Sequence, residues 1–387
     1  METYFIKTFG CQQNIADSER IASAYEARGF SPAPTMEAAH TIILNTCVIR
    51  ERAEEKVYGL VRNIQAGLSG NKDARIVVTG CLIGAAAREP SGKMLKRITK
   101  RLPEVELLPL EDIGFEHIPK RAPGKSASIV ISNGCNNYCA FCIVPFSRGK
   151  ERSRPFAEII EEAESAVREG KDEIVLLGQN VNSYGADFLM EKIREGEEYA
   201  LHDGSRVKPV FVKHLNRHRV PTLFPHLLQA VARIKGVRLV SFLSANPWDF
   251  SSELIDVIAD NKNIDRTLHL PVQAGSDRIL KLMNRWYTRA EYLELVARIR
   301  KKIPEVSFTT DIIVGFPGET LEEFEMTCDL VRSVGFDRAY IAWYSPRPGT
   351  KATKEMEDTV SIEEKHRRQR ELDGIVLRLA GRGHLVK

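Results

Sequence analysis

The chain has 387 residues, 43% of them hydrophobic and 28% charged, with a formal net charge of +4. That length holds two domains with cores of their own, and the charge is too small for composition alone to announce a nucleic-acid binder. No basic segment leads into an apolar one at the start and no long apolar run follows, which excludes a secretory leader and a membrane span as sequence readings. Seven cysteines, an odd number, then point to a reducing compartment and metal ligation.

From the N-terminus, Thr3–Phe9 reads as a short strand. Asp17–Arg28 reads as a helix, with Asp17 as N-cap and Ile21, Ala24 and Tyr25 on one face. Thr41–Leu44 is a buried strand, Glu51–Ile64 a helix with Val57, Leu60, Val61 and Ile64 inward, and Ile76–Thr79 a third strand. This alternation predicts a parallel sheet. Cys11, Cys47 and Cys81 each follow one of the three strands, at separations of 36 and 34 residues. Ligands bind at the carboxyl ends of parallel strands, so the three thiols are predicted to converge there. The competing reading is three cysteines packed independently in a core.

A Pro/Gly/Lys-rich connector at Pro119–Ser126 leads to the apolar run Ile129-Val130-Ile131 and then to Cys135-Asn-Asn-Tyr-Cys139-Ala-Phe-Cys142. Three thiolates within eight residues wrap around one metal centre more readily than they form disulfides. They are one ligand short of closing a four-iron cluster or a tetrahedral zinc site, and the open corner suits a substrate or cofactor. A zinc knuckle completed by a remote residue is the alternative.

Beyond this loop, strands are predicted at Ser128–Ser132, Glu173–Leu177, Val237–Phe242, Thr267–Leu270, Val306–Val314 and Ala339–Trp343. Helices are predicted at Ala157–Arg168, Ser252–Ala259, Ala290–Lys302 and Leu321–Val334, the last burying Cys328. Six such units make an open (β/α)6 barrel, whose chemistry gathers at the carboxyl ends of its strands. Gln179, Ser244, Gln273, Ser276, Gly315, Gly318 and Glu319 all fall in strand-end segments, with glycines admitting close backbone approach and the amides offering hydrogen bonds.

Residues 186–225 break the alternation and read as an insertion, acidic over Glu191–Glu198 and basic at Arg206, Lys208, Lys213, Arg217 and Arg219. His202, His214, His218 and His226 lie in or beside it at no recognisable metal spacing. The helix Ser361–Leu379 carries Lys365, Arg367, Arg368, Arg370 and Arg378, with Arg382 just beyond. Either basic stretch reads as a solvated face, with phosphate contact as the alternative.

The segment Gly134–Pro145, followed by Arg148-Gly149 and Arg152-Ser153-Arg154-Pro155, resembles the radical S-adenosylmethionine (SAM) signature of the methylthiotransferases. Gly10-Cys11-Gln12-Gln13-Asn14 and Asn45–Glu51 resemble the auxiliary cluster domain of that family, and Asn45–Glu51 with Gly178–Gly185 resembles its branch acting on isopentenyladenosine in tRNA. Gln13 stands where that family often has Met, and Ser244-Ala245-Asn246-Pro247 where it usually has Ser-His-Pro. The resemblance spans Lys7 to about Lys351. It implies an α/β chain with an N-terminal methylthiotransferase domain at 1–120, a radical SAM core at 121–355 and a helical linker at 356–387. Gly381–Val386 could only begin the family's C-terminal RNA-binding (TRAM) barrel.

The resemblance further implies two 4Fe-4S clusters, one on Cys135, Cys139 and Cys142 with SAM on the open iron, the other on Cys11, Cys47 and Cys81. SAM contacts would come from Gln179, Ser244, Gln273, Gly315 and Glu319. The implied reaction begins with a 5′-deoxyadenosyl radical that abstracts C2–H of N6-isopentenyladenosine 37. Sulfur then enters through the second cluster, and a second SAM gives the methyl group. The partners would be the tRNA anticodon loop, with Trp248, Phe250, Trp286 and Tyr287 as stacking candidates and Arg347 at a phosphate. An electron donor such as flavodoxin or ferredoxin completes the set, for a cytoplasmic monomer. The rival readings are methylthiolation of threonylcarbamoyladenosine or of a ribosomal-protein aspartate, and a non-catalytic iron–sulfur RNA-binding or cluster-carrier protein.

Overall fold

The computed structural model describes residues 2–48, 51–68, 71–109, 117, 119–201, 203–214 and 218–383. Ile49 and Arg50 of the Asn45–Glu51 motif, His202 and Arg217 lie outside them, as does the chain from residue 384. Among the described residues, no helix is long and apolar enough to cross a membrane.

The N-terminal unit runs β1 (Thr3–Thr8), α1 (Gln12–Ala27), β2 (Ser31–Pro32), β3 (Thr41–Thr46), α2 (Glu51–Gln65), β4 (Arg75–Gly80), α3 (Cys81–Arg88), α4 (Lys93–Arg101) and β5 (Glu106–Leu107). Its sheet has the order β2-β1-β3-β4-β5, parallel throughout. β3 is central and buried along its whole length, which is why Ile42-Ile43-Leu44 forms a continuous apolar run instead of alternating.

Helix α1 begins at Gln12, a turn and a half before the position expected from the apolar spacing. Cys11, not Asp17, occupies the N-cap. The buried face of the first turns is polar, with Gln13, Asn14, Ser18 and Arg20 all inside, so hydrophobic periodicity does not mark it. Asn14 anchors that turn to β3, its Nδ2 donating to the Thr46 carbonyl (2.8 Å) and to Asn45 Oδ1 (3.2 Å).

The second unit contains β6 (Ser126–Val130), β7 (Ser132–Asn133), α5 (Val144–Ser147), β8 (Arg152–Ser153), α6 (Phe156–Arg168), β9 (Glu173–Leu177), α7 (Ala186–Leu189), β10 (Tyr199–Ala200), β11 (Arg206–Val207), β12 (Val210–His214), β13 (His218–Thr222) and α8 (Phe224–Ala232). It continues with β14 (Leu239–Phe242), α9 (Ser252–Asp260), β15 (Thr267–His269), α10 (Asp277–Leu282), α11 (Arg289–Lys302), β16 (Ser307–Val314), α12 (Leu321–Val334), β17 (Arg338–Trp343), α13 (Lys351–Glu355) and α14 (Ile362–Gly383). Strands β6, β9 and β14 form one parallel sheet and β15, β16 and β17 another. A parallel bridge from Val240 to Ile264 continues the first towards the second. This is the open six-stranded barrel predicted from the alternation. Capping boxes at Thr288/Glu291 and Thr320/Glu323 start α11 and α12, and Ser276 caps α10.

The interruption at 186–225 is built of two antiparallel hairpins, β10–β11 and β12–β13. Val210, Val212 and Val220 bury one face of the second against Ala186. Two basic residues of the interruption are paired within it, Arg206 with Glu198 (3.2 Å) and Arg219 with Glu195 (2.7 Å). Helix α14 is only in part the solvated basic face the sequence suggested: Arg367, Arg370 and Arg378 are exposed. Lys365 and Arg368 are buried, pairing with Asp358 (2.6 Å) and Glu319 (2.7 Å), and Gln369 Nε2 donates to the Ile341 carbonyl of β17 (2.7 Å). The helix also continues through Gly383, where the start of a strand was expected.

The two units meet along α1. Ala16 packs on Val130 and Leu177, Gln12 Nε2 donates to Ser128 Oγ (2.9 Å), and Arg20 pairs with Glu162 (3.3 Å).

Candidate metal centres

Cys11, Cys47 and Cys81 stand immediately beyond β1, β3 and β4, at the same end of one parallel sheet. Cys11 and Cys81 converge on one atom, Asn14 Oδ1, their Sγ atoms lying 3.5 and 4.0 Å from it. Cys47 comes in beside them. Gly10 has φ +123°, and a Cβ there would lie 2.9 Å from Cys47 Cβ. Gly80 has φ +95°, and its Cβ would collide with the Thr46 backbone. Only glycine lets the chain turn into Cys11 and Cys81 this close to the neighbouring strand. Burial pushes the Cys81 thiol up to about 11, opposed by the nearby Arg148 charge.

The second triad follows β7. Gly134, at φ +82°, passes so close to the Lys150 carbonyl that no side chain fits. Its N–H donates to Gln179 Oε1 (2.5 Å), and Cys135 N–H donates to the Gly149 carbonyl (3.2 Å). The loop is clamped from the far side of the barrel as well. Ala140 N–H donates to the Met283 carbonyl (2.9 Å), and Asn284 Nδ2 to the Tyr138 carbonyl (2.9 Å). Arg285 Nη1 lies 3.6 Å from Cys139 Sγ and 3.2 Å from Asn246 Oδ1. Burial raises the Cys135 thiol well above its ordinary range and Cys142 to about 12. Buried Glu151, hydrogen-bonded by Ser183 Oγ (2.6 Å), is raised likewise by desolvation and sits near Cys135.

Around the barrel mouth several buried polar atoms have no partner among the described residues: Ser132 Oγ after β6, Asn180 Oδ1 after β9, Asn137 Oδ1 in the cysteine loop and Gln273 Oε1 after β15. Unsatisfied buried acceptors carry a desolvation cost unless a ligand or water meets them. Gln273 and Ser244 also hold left-handed backbones, at φ +70° and +67°, conformations that non-glycine residues adopt at some cost in strain. One parallel sheet thus presents three thiols at three strand ends, and the barrel-mouth loop after β6 and β7 presents three more among orphaned polar atoms.

Profile comparison matches residues 129–331 to the Radical SAM superfamily and residues 3–101 to Uncharacterized protein family UPF0004. The tRNA-2-methylthio-N(6)-dimethylallyladenosine synthase of Carboxydothermus hydrogenoformans is 42% identical over 98% of this chain and 85% of its own length. The chain belongs to this synthase family. The synthase of Moorella thermoacetica is 40% identical over 91% of this chain and 77% of its own. The fold recurs in the radical S-adenosylmethionine methyltransferase TsrM of Kitasatospora setae, with a TM-score of 0.60 at 14% identity over 91% of this chain and 77% of that one.

The residues singled out in the sequence as SAM contacts have different surroundings. Gln179 braces the cysteine loop, and Ser244 and Gln273 line strand ends in strained conformations. Gly315 and Glu319 belong to another contact. Glu319 is buried, accepts from Gly315 N–H (2.6 Å) and pairs with Arg368 of α14. Of the stacking candidates, Phe250 and Tyr287 are core residues. Trp248 is half-buried and stacks on Tyr287 (5.8 Å between centroids), with the Arg285 guanidinium 4.6 Å from its own ring centroid. Sequence reasoning missed Asn14, Glu151, Arg285 and the direction of Arg148. Asn14 and Arg148 were visible only as members of the cysteine motifs.

Proposed function

We propose that the chain converts N6-isopentenyladenosine at position 37 of tRNA to its 2-methylthio derivative. The observation that carries this reading is the pair of cysteine triads, one at the strand ends of the N-terminal parallel sheet and one in the barrel-mouth loop after β6 and β7. In this reading residues 1–120 form the methylthiotransferase domain, 121–355 the radical SAM core and 356–387 a helical linker. Cys135, Cys139 and Cys142 would hold one 4Fe-4S cluster and Cys11, Cys47 and Cys81 another. The donor sets fit: each offers three thiols, which leaves an iron corner for a non-protein ligand, and the orphaned acceptors at the barrel mouth suit a polar cofactor such as SAM. When bound, these groups supply the electron that cleaves SAM, the radical that removes an inert aromatic C2–H, and the sulfur and methyl that replace it.

The chain's own residues position and enclose that chemistry. Gln179, Asn284 and the Met283 carbonyl fix the cysteine loop against both sides of the barrel. Arg285 offers an N–H to the Cys139 sulfur. Ser132, Asn180, Ser244 and Gln273 are the cofactor contacts, with Gln273 Oε1 placed to accept from a donor such as an ammonium group. The relatives' names supply tRNA as substrate. An unpaired anticodon-loop base can be splayed out and stacked on an aromatic surface, and Trp248 and Trp286 are the half-buried candidates. The remaining partners are a one-electron donor such as flavodoxin or ferredoxin, for a monomer working in the cytoplasm.

The test is anaerobic reconstitution with iron and sulfide, then turnover with SAM, a reductant and isopentenylated tRNA, read by mass spectrometry of the digested nucleosides. The expected product is the 2-methylthio nucleoside with 5′-deoxyadenosine and methionine. SAM cleavage without that nucleoside would retain the radical chemistry and overturn the substrate. No cleavage in protein carrying both clusters would overturn the reaction.

A further inference from the structure

Arg148 is six residues past Cys142, at the end of α5, yet its side chain leaves that loop and enters the other triad. It is 5% exposed. Nη1 donates to Asn133 Oδ1 (3.1 Å), two residues before Cys135. Nη2 donates to Asp17 Oδ2 (2.6 Å) and to Asn14 Oδ1 (3.4 Å), the same oxygen that faces Cys11 and Cys81. The Arg148 charge bears directly on both of those thiols, and the Asp17 charge opposes it at Cys81. One buried cation and one nearly buried anion therefore stand at the wall of the N-terminal triad, delivered by different units of the fold.

We infer that Arg148 and Asp17 are positioning residues that set the reduction potential of the cluster at Cys11, Cys47 and Cys81, acting as an opposed pair of fixed charges. The inference rests on the proposed function, which places a cluster there. A 2+ four-iron core on three thiolates carries one net negative charge, and a single electron from an added reductant makes it two. A cation at the wall favours the added electron and an anion disfavours it, more strongly in a buried site than in water. The Arg148 contact with Asn133 links that charge to the loop bearing the other triad.

A purely structural ion pair makes a different prediction. Removing either partner breaks the same pair, so both substitutions would move a property in the same direction. Fixed charges move the potential in opposite directions.

The experiment uses the full chain carrying C135A, C139A and C142A, reconstituted so that the N-terminal cluster is the one observed, with a redox titration followed by electron paramagnetic resonance. R148Q is expected to lower the midpoint potential, D17N to raise it, and R148K to stay near the parent. Shifts of the same sign in R148Q and D17N, or no shift in protein holding about four irons per chain, would overturn the inference alone. Should R148Q fail to hold its cluster, D17N decides: a rise supports the inference, and a fall or no change overturns it. A parent that takes up no iron at these cysteines would overturn the proposed function and this inference with it.

Discussion

Gly84 lies in the short helix that begins at Cys81, and replacing it by alanine pits two effects of opposite sign against each other. In a solvent-exposed helix, Gly→Ala gains about 1 kcal/mol from propensity. Here a Cβ would sink into the carbonyl oxygen of Ser147, at the end of α5, and would also crowd Arg88 Nη1 at 3.0 Å. A backbone carbonyl cannot rotate away as a flexible side chain can, so α3 and α5 must separate. Overpacking of this kind costs about 1–3 kcal/mol. The separation also weakens the bond from Arg88 Nη1 to the Ser147 carbonyl (2.7 Å), worth about 1.5–3 kcal/mol for a charged donor. The balance is a destabilisation of about 2–4 kcal/mol. The α3/α5 contact also fixes Cys81 relative to the Cys142 loop, so G84A should lose methylthio product more steeply than SAM cleavage. Urea denaturation of the metal-free chain measures the first effect, and paired assays of 5′-deoxyadenosine and modified nucleoside the second. A variant more stable than the parent, with product and cleavage still in step, would refute the reasoning.

Arg368→Ala should cost about 3–5 kcal/mol, because it strands the buried Glu319 carboxylate; Glu319→Gln should cost less, and equal losses in urea melts would contradict this. Arg278 and Ser276, with the N-cap of α12, hold the Glu323 carboxyl down to about 2. Its contribution is therefore complete above the ordinary carboxylate range near 4.5 and is lost as pH falls towards 2. With Arg278 half exposed, the amount is about 1–2 kcal/mol. E323Q should flatten the stability profile between those pH values, and an unchanged acid limb would count against the pairing. Gln273→Leu should weaken SAM binding about tenfold by removing a buried acceptor, with iron content unchanged; equilibrium dialysis of reconstituted protein checks it, and unaltered affinity would remove Gln273 from the site.

The parts of the fold legible in the sequence were those whose physics is local. Buried parallel strands such as Ile42-Ile43-Leu44 announce themselves as apolar runs, and a cysteine after each strand marks the carboxyl edge of the sheet. The start of α1 was illegible because its inner face is Gln13, Asn14 and Ser18, polar side chains of which Asn14 and Ser18 hydrogen-bond to β3. Helix α3 was missed because it begins at Cys81 with no loop between it and β4. The burial of Lys365 and Arg368 within the basic run was missed for another reason. The acid that buries Arg368 is Glu319, 49 residues earlier, and no local pattern discloses a partner that distant. Strand-end motifs likewise gave the region of the barrel mouth without its inventory. Gln273 and Glu319 look equivalent in sequence, yet one is an orphaned acceptor and the other an ion-paired strut.

The most direct test of the two-centre account compares reconstituted wild-type protein with C11A/C47A/C81A and with C135A/C139A/C142A on isopentenylated tRNA. The account predicts that the first triple variant still forms 5′-deoxyadenosine and yields no 2-methylthio nucleoside, while the second forms neither. Methylthio product from the chain lacking Cys11, Cys47 and Cys81 would contradict it.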